Sequence, residues 1–314
     1  MSTAQSPENQ AVALIAGPTA SGKSDLAVRL AQRIEASGRP SAVVNADSQQ
    51  VYADLEILSA RPGKHEMGGI EHRLFGTWDG AQPCSAADWA GQAKQEIADL
   101  HARGGVPVLC GGTGLYIRTL LDGISPVPPI DPDIRAQVRA LPVEALRKCL
   151  IGEDPASAAR LNERDIQRMS RALEVVRSTG QSLGWWQERK AGGIAEDISL
   201  HPLVLIPDRD WLYERCDRRF DWMLEAGAIE EVATLARRGL DPTLPVMRAI
   251  GVPEILAYLE DELDLASVAE AGKTATRQYA KRQFTWFRNQ PPRDWPRADK
   301  KTIAEYDFFV SLFQ

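Results

Sequence analysis

Ala11 to Ala16 (AVALIA) is an unbroken apolar run between polar flanks. That is the pattern of a strand covered on both faces of a parallel sheet. A glycine-rich turn, Gly17 to Gly22, comes next. Apolar residues at Leu26, Ala27, Leu30, Ala31 and Ile34 then keep helical spacing until Arg39-Pro40 closes the unit. Ser41 to Ala46 predicts a second strand, ended by Asp47-Ser48, and Trp89 to Ala102 a helix, ended by Gly104-Gly105. Val106 to Cys110 predicts a third buried strand running into Gly111-Gly112-Thr113-Gly114. Strands alternating with helices predict a parallel sheet with right-handed crossovers.

The pattern changes after Asp122-Gly123. Ile124 to Pro132 is proline-rich and reads as a linker, and Asp131 to Lys190 has helical periodicity without a strand signal. The sheet resumes at Pro202 to Ile206. One helix is predicted from about Asp210 to Arg238, stopped by Gly239, and another from about Ala266 to Asn289. The tail from Arg297 to Gln314 shows no assignable pattern. The predicted fold class is α/β, a P-loop NTPase-like parallel sheet flanked by helices, with an inserted all-helical subdomain. The expected boundaries are 1–123 for the first part of the core, 124–198 for the insert and 199–314 for the second part.

Composition narrows the class. With 314 residues, 44% hydrophobic and 25% charged, a sizeable core is available without disulfide or metal staples. The 4 cysteines, Cys84, Cys110, Cys149 and Cys216, form no C-x-x-C pair, which favours reduced buried thiols over a zinc or redox site. Met1 to Gln10 lacks the basic and apolar regions of a secretory signal. No apolar run approaches the ~20 residues that span a bilayer, so a cytoplasmic protein without a membrane partner is expected. A net charge of −6 argues against indiscriminate nucleic-acid binding but leaves room for a local basic surface.

Gly17-Pro18-Thr19-Ala20-Ser21-Gly22-Lys23-Ser24 fits G-x-x-x-x-G-K-[ST] in full, with a strand before it and a helix after it. Backbone N–H groups and the helix N-terminus make an anion nest, Lys23 adds a cation, and the Ser24 hydroxyl is placed for Mg²⁺. The motif says phosphate without saying which one. The absence of N-K-x-D disfavours a GTPase, and Val106 to Cys110 ends in glycines rather than an aspartate. The carboxylate instead follows the second strand, at Asp47, on the sheet edge where ligands of open α/β sheets bind. A turn or helix-cap role for Asp47 remains open on this ground alone.

Ordered motifs then run along nearly the whole chain. They are D-S-x-x-[VI]-Y at Asp47 to Tyr52, Ser59-Ala60-Arg61-Pro62, His72-Arg73-Leu74, Ser85 to Trp89, and G-G-T-x-L-Y at Gly111 to Tyr116. Further on come Asp131 to Arg135, Gln167 to Arg171, Arg215 to Gly227 and Thr276 to Arg288. With the phosphate loop, this set resembles the tRNA dimethylallyltransferases (tRNA isopentenyltransferases).

The resemblance implies Mg²⁺-dependent transfer of a dimethylallyl group from dimethylallyl diphosphate to N6 of the adenosine just 3′ of the anticodon, on the tRNA anticodon stem-loop; a monomer is expected. It implies Asp47 as general base. It places Thr19, Lys23 and Ser24 on the diphosphate, Ser24 near the metal, and Arg219 with Arg215 on the departing pyrophosphate. Positions matching tRNA contacts are Asp47, Ser48, Gln49, Gln50, Thr113, Arg135, Gln167, Arg168, Met169, Ser170, Arg171, Arg248, Lys281, Arg282 and Arg288.

One stretch departs from the family. R-x-x-G-[YF]-[RK] is replaced by Arg248-Ala249-Ile250-Gly251-Val252-Pro253, without the aromatic and the trailing cation. On the residues themselves, Lys273, Arg277, Lys281, Arg282 and Arg288 predict a phosphate-tracking face on the last helix, with Phe284, Trp286 and Phe287 packing inward. Three other readings remain at this point: a small-molecule kinase using ATP, a prenyltransferase acting on free adenine nucleotides, and an RNA-binding module that holds nucleotide structurally. The kinase accounts for Gly17 to Ser24 and Asp47 but not for the basic insert or the last helix.

Overall fold

The computed structural model describes residues 10–299, 302 and 307–313. The chain divides into two compact units, Leu121–Ile194 and the remainder.

The larger unit is built on a six-stranded, all-parallel sheet. Its first half comprises β1 (Ala11–Ala16), α1 (Lys23–Ala36), β2 (Ser41–Asn45), β3 (Glu71–Arg73), α2 (Ala86–Ala102), β4 (Val106–Gly111) and α3 (Gly114–Asp122). Burial of β1, β2 and β4 on both faces explains their continuous apolar sequence. On one face Ile15, Val43 and Val108 pack against Ala27, Leu30 and Ile34 of α1. α2 begins earlier than its periodicity predicts because Ser85 and Asp88 form a reciprocal capping box.

The smaller unit contains α4 (Pro132–Arg139), α5 (Val143–Glu153), α6 (Pro155–Arg160), α7 (Ile166–Thr179) and α8 (Leu183–Gln187). Its own core is Val138, Leu146, Leu150, Met169, Ala172 and Leu173. Asp131, Asp154, Asp165 and Ser182 cap four of these helices. The chain enters and leaves this unit at one crossing. Ile124 pairs with Ala191, and a Cβ on Gly123 would stand 2.3 Å from the Ala191 carbonyl oxygen. A Cβ on Gly193 would stand 2.2 Å from that of Leu121. This interleaving puts the boundaries at 121 and 194, a few residues before the expected 124 and 198.

The larger unit then continues with β5 (Ser199–Leu205), α9 (Arg209–Glu225), α10 (Ala228–Ala236), α11 (Val252–Leu259), α12 (Leu265–Asn289) and β6 (Arg297–Ala298). The sheet order is β3-β2-β4-β1-β5-β6. The single helix expected over 210–238 is two helices. The break is at Gly227, whose φ of 108° is left-handed and admits no helical continuation. The strands β3 and β6 and the helix α11 are absent from the sequence expectation. β3 is three polar residues and β6 two, too short to show a period. Part of the unassigned tail does pack: Phe309 and Leu312 join the core beneath β5 and α1. The N-terminal stretch read as lacking a signal lies outside the described residues, apart from Gln10.

α9 and α12 pack against one another through Gly272, where an added Cβ would stand 1.9 Å from the Phe220 ring. Gly272→Ala is therefore expected to destabilise. The clash of an overpacked core, about 1–3 kcal/mol, outweighs the ~0.5–1 kcal/mol that alanine gains over glycine inside a helix. Thermal unfolding checks this; a raised Tm would contradict the packing.

Candidate active site

Three strand ends converge at one edge of the sheet. β1 ends at the phosphate loop, β2 at Asp47 and β4 at Gly111-Gly112-Thr113. Their approach is so close that side chains are excluded. A Cβ on Gly111 would stand 2.1 Å from the Ala46 backbone, and one on Gly112 would stand 2.3 Å from Gln283 Nε2 and 3.1 Å from Asp47 Oδ2. The backbone bonds Gly17 N–H to Gly111 O, and Thr113 N–H to Ala46 O, tie the three ends together.

Within the loop, Gly22 is left-handed and starts α1. Ala20 is also left-handed, at φ 61°, an uncommon conformation for a residue with a Cβ and of the kind that concentrates at functional sites. Lys23 is buried, and its Nζ donates to the Pro18 carbonyl at 3.1 Å. Burial pulls its pKa down, which the nearby Asp47 charge opposes. α9 presents Arg215 and Arg219 to the loop. Arg215 Nε donates to the Ala20 carbonyl at 2.9 Å, and Arg219 Nη2 donates to the Thr19 hydroxyl. Burial lowers the Arg219 pKa as well, and its buried Nε has no protein partner, nor has the Ser21 hydroxyl. These poorly solvated cations and unpaired polar atoms suit an anion that would complete their bonding.

Asp47 is 7% exposed and is held by its neighbours. Its backbone N–H donates to Asn45 Oδ1 at 2.8 Å, and Asn45 Nδ2 donates to its carbonyl at 3.0 Å. Its carboxylate accepts from Gln49 N–H at 3.1 Å. Thr113 Oγ1 accepts from Ser48 N–H at 2.9 Å, and the two hydroxyls lie 3.1 Å apart. Burial, with the Asp47 charge, pushes the Tyr279 hydroxyl well up, so it stays protonated beside Thr113 and Ser48. Burial raises the Cys110 thiol to about 11, which keeps it neutral beneath the loop.

A cavity of about 680 Å³ joins these groups. Its polar lining includes Thr19 to Ser24, Asp47, Gln49, Gln50, Arg215 and Arg219, and its apolar lining includes Ile57, Leu58, Phe220, Met223 and Ile250. The sequence-predicted catalytic set, Asp47, Thr19 and Arg219, is thus brought together with the loop. Gln50 is only partly there, because its amide is spent on the Ser59 and Ala60 carbonyls.

Other expected positions fall elsewhere. Lys281, Arg282 and Arg288 are exposed on α12, and Arg248 is exposed before α11. Lys273 and Arg277 are not part of a free basic face, because Asp221 and Asp217 of α9 pair with them at 2.7 and 2.6 Å. Phe284 and Phe287 are core. In the helical unit Arg135, Gln167 and Arg168 are exposed, while Ser170 and Arg171 are half-buried. Met169, at 2% exposure, places its side chain in that unit's core, so any contact to RNA there would come from its backbone. In the divergent stretch Val252 is fully buried, so no side chain stacks from the position where the family has an aromatic.

Sequence reasoning missed Asn45, Tyr279 and Gln283. Each left a faint signal, since each is a polar residue at a position that the strand or helix period assigns to the interior. His72 lies on β3 with its ring against Phe75 and its Nδ1 on the Ile70 carbonyl, outside the cavity lining.

Comparison with known proteins gives the family. A family model described as IPP transferase matches residues 50–290. A protein of Erythrobacter litoralis called tRNA dimethylallyltransferase is 59% identical over 307 residues, 98% of this chain and 97% of its own length. One of Sphingopyxis alaskensis with the same name is 60% identical over 286 residues, 91% of this chain and 92% of its own. Among solved structures, the tRNA isopentenylpyrophosphate transferase of Bacillus halodurans aligns at 33% identity with a TM-score of 0.68, covering 97% and 95% of the two chains. A eukaryotic dimethylallyltransferase acting on tRNA aligns at 29% identity and 0.75, covering 88% of this chain and 69% of its own. On these matches the chain belongs to the IPP transferase family.

Proposed function

We propose that this protein transfers a dimethylallyl group from dimethylallyl diphosphate to N6 of the adenosine immediately 3′ of the anticodon in tRNA, releasing pyrophosphate. The observation that carries this reading is the double character of one cavity. A P-loop NTPase-like phosphate cradle and a buried carboxylate share it with an apolar wall of Ile57, Leu58, Phe220 and Met223. The cradle alone would equally serve a kinase; the apolar wall beside it suits a five-carbon prenyl chain. About 680 Å³ lies within the ~300–1,000 Å³ typical of small-molecule sites.

The chemistry follows from the parts. Breaking the allylic C–O bond leaves negative charge on the pyrophosphate. The loop N–H groups that remain free, with Lys23 and Arg219, would be donors held close to that charge by the fold. Arginine suits phosphate oxygens by its planar fork. The adenine amino group is a weak nucleophile, and Asp47 accepts its proton as the new C–N bond forms. To reach a buried carboxylate the adenine has to leave its stack.

Mg²⁺ fits the donors present. The Ser24 hydroxyl is a hard oxygen at the start of α1, and magnesium is commonly held by few protein oxygens plus substrate phosphates and water. When bound there it would neutralise charge on the diphosphate oxygens. Outside the cavity, the exposed cations Lys281, Arg282, Arg288 and Arg248 are the groups suited to RNA phosphates, with Arg135, Gln167, Arg168 and Arg171 in the helical unit. Among the described residues no helix is long and apolar enough to cross a membrane. A monomer in the cytoplasm is the working form we propose.

The test supplies labelled dimethylallyl diphosphate and Mg²⁺ with either tRNA or AMP, and follows ATP consumption in parallel. Label is expected in tRNA. Label only in AMP, or ATP consumed without label transfer, would replace this reading with a free-nucleotide prenyltransferase or a kinase. Asp47→Asn, which keeps the acceptor for Gln49 N–H, should lower kcat by about 10²–10⁴-fold while tRNA binding is retained. Undiminished turnover would remove Asp47 as base. Replacing Lys281 and Arg282 together by Ala should weaken tRNA binding and flatten the dependence of log K on log salt by about 0.7 for each phosphate that is no longer neutralised. An unaltered slope would show that this face does not meet the backbone of the RNA.

A further inference from the structure

Gln283 sits in a segment otherwise marked for RNA contact, yet it faces inward. It is 6% exposed, while Lys281 and Arg282 before it are exposed. Its Oε1 accepts from Thr19 N–H at 2.7 Å, and its Nε2 donates to the Gly112 carbonyl at 2.8 Å. One amide therefore spans two turns. The first carries Thr19, whose hydroxyl meets Arg219. The second runs past Asp47 into Thr113, which holds Ser48. The neighbouring buried positions of α12 are mostly small or apolar: Thr276, Ala280, Phe284 and Phe287. Filling space alone would be served by leucine or methionine, whereas this position uses a donor and an acceptor at once. Glycine at 112 leaves the room that the amide occupies, since a Cβ there would stand 2.3 Å from Nε2.

We propose that Gln283 is a positioning residue that fixes the leaving-group half of the site against the proton-accepting half, a role that rests on the prenyl-transfer reading above. Thr19 and Arg219 define where the diphosphate oxygens lie, and Asp47 defines where the amine is deprotonated. The allylic carbon has to stand between them in line. A misplacement of about 1 Å in such an arrangement costs about a hundredfold in rate. Gln283 touches neither reactant; it acts through Thr19 and Gly112.

The experiment compares wild type, Gln283→Met and Gln283→Glu in label transfer from dimethylallyl diphosphate to tRNA, with thermal unfolding and tRNA binding measured on the same samples. Gln283→Met has nearly the same shape but neither bond. It should lower kcat by about a hundredfold, leave KM for both substrates within about threefold and bind tRNA normally. Gln283→Glu distinguishes positioning from packing. As a carboxylate it still accepts from Thr19 N–H but repels the Gly112 carbonyl. Once protonated it reproduces the amide, with one oxygen accepting and one hydroxyl donating. Its rate relative to wild type at the same pH should therefore rise as pH falls, while the ratio for Gln283→Met stays flat. Asp47, Lys23, Arg215 and Arg219, the charged groups that meet these turns, are common to both proteins and largely cancel in the ratio.

A kcat for Gln283→Met within about threefold of wild type, a loss carried wholly by KM, or a flat ratio for Gln283→Glu would each overturn the proposal. If Gln283→Met does not fold, the pH ratio of Gln283→Glu decides alone. A wild type that transfers no label would sink the prenyl-transfer reading instead, so the two failures are distinguishable.

Discussion

The site depends on how closely three backbones approach at the edge of the sheet. Gly111 passes Ala46 with no space for a methyl group, and Gly17 bonds to the Gly111 carbonyl. That approach brings the end of β2, with its carboxylate, alongside the end of β1, with its glycine-rich loop. A side chain at Gly111 would collide with the Ala46 backbone, and one at Gly17 would crowd the Leu205 carbonyl at 2.9 Å. The geometry of the reaction is thus set by what the chain omits as much as by the groups it supplies.

Burial gives these groups their strength. Lys23, Asp47 and Arg219 would be ordinary ions in water. Held in the interior, Lys23 and Arg219 are short of solvent, and the nearby Asp47 charge offsets only part of that cost. The unpaired Arg219 Nε and Ser21 hydroxyl lie in the same place, so the proposed diphosphate would supply charge and acceptors where the protein has left them incomplete. The same helices do two jobs at once: α9 packs against α12 through Phe220 and Gly272, and from that fixed position delivers Arg215 and Arg219 to the loop.

Much of this was legible in the sequence. Continuous apolar runs gave β1, β2 and β4 because both sheet faces are covered, and the glycine-lysine-serine signature is local by nature. The resemblance supplied the rest of the expected catalytic set, and the structure gathers Thr19, Asp47 and Arg219 around one cavity. What stayed hidden was tertiary. Lys273 and Arg277 looked like part of an RNA-tracking stripe because the carboxylates that neutralise them, Asp221 and Asp217, are some fifty or sixty residues earlier, on another helix. Met169 sits among surface-facing neighbours in a matched motif, and only packing shows that it points inward. Gly227 splits a helix whose periodicity runs on without interruption. The short strands β3 and β6 exist because neighbouring strands offer partners, so no window of their own residues could announce them.

The glycine crossing at the root of the helical unit has a consequence for how this chain can vary. Residues 121–124 and 191–193 are laced side by side, so some seventy residues depart from and return to a single point. The register of β4 and β5 is set elsewhere, by β1 between them. A change of length within the excursion is therefore expected to leave the register of β4 and β5 as it is, provided the two glycines at the knot persist.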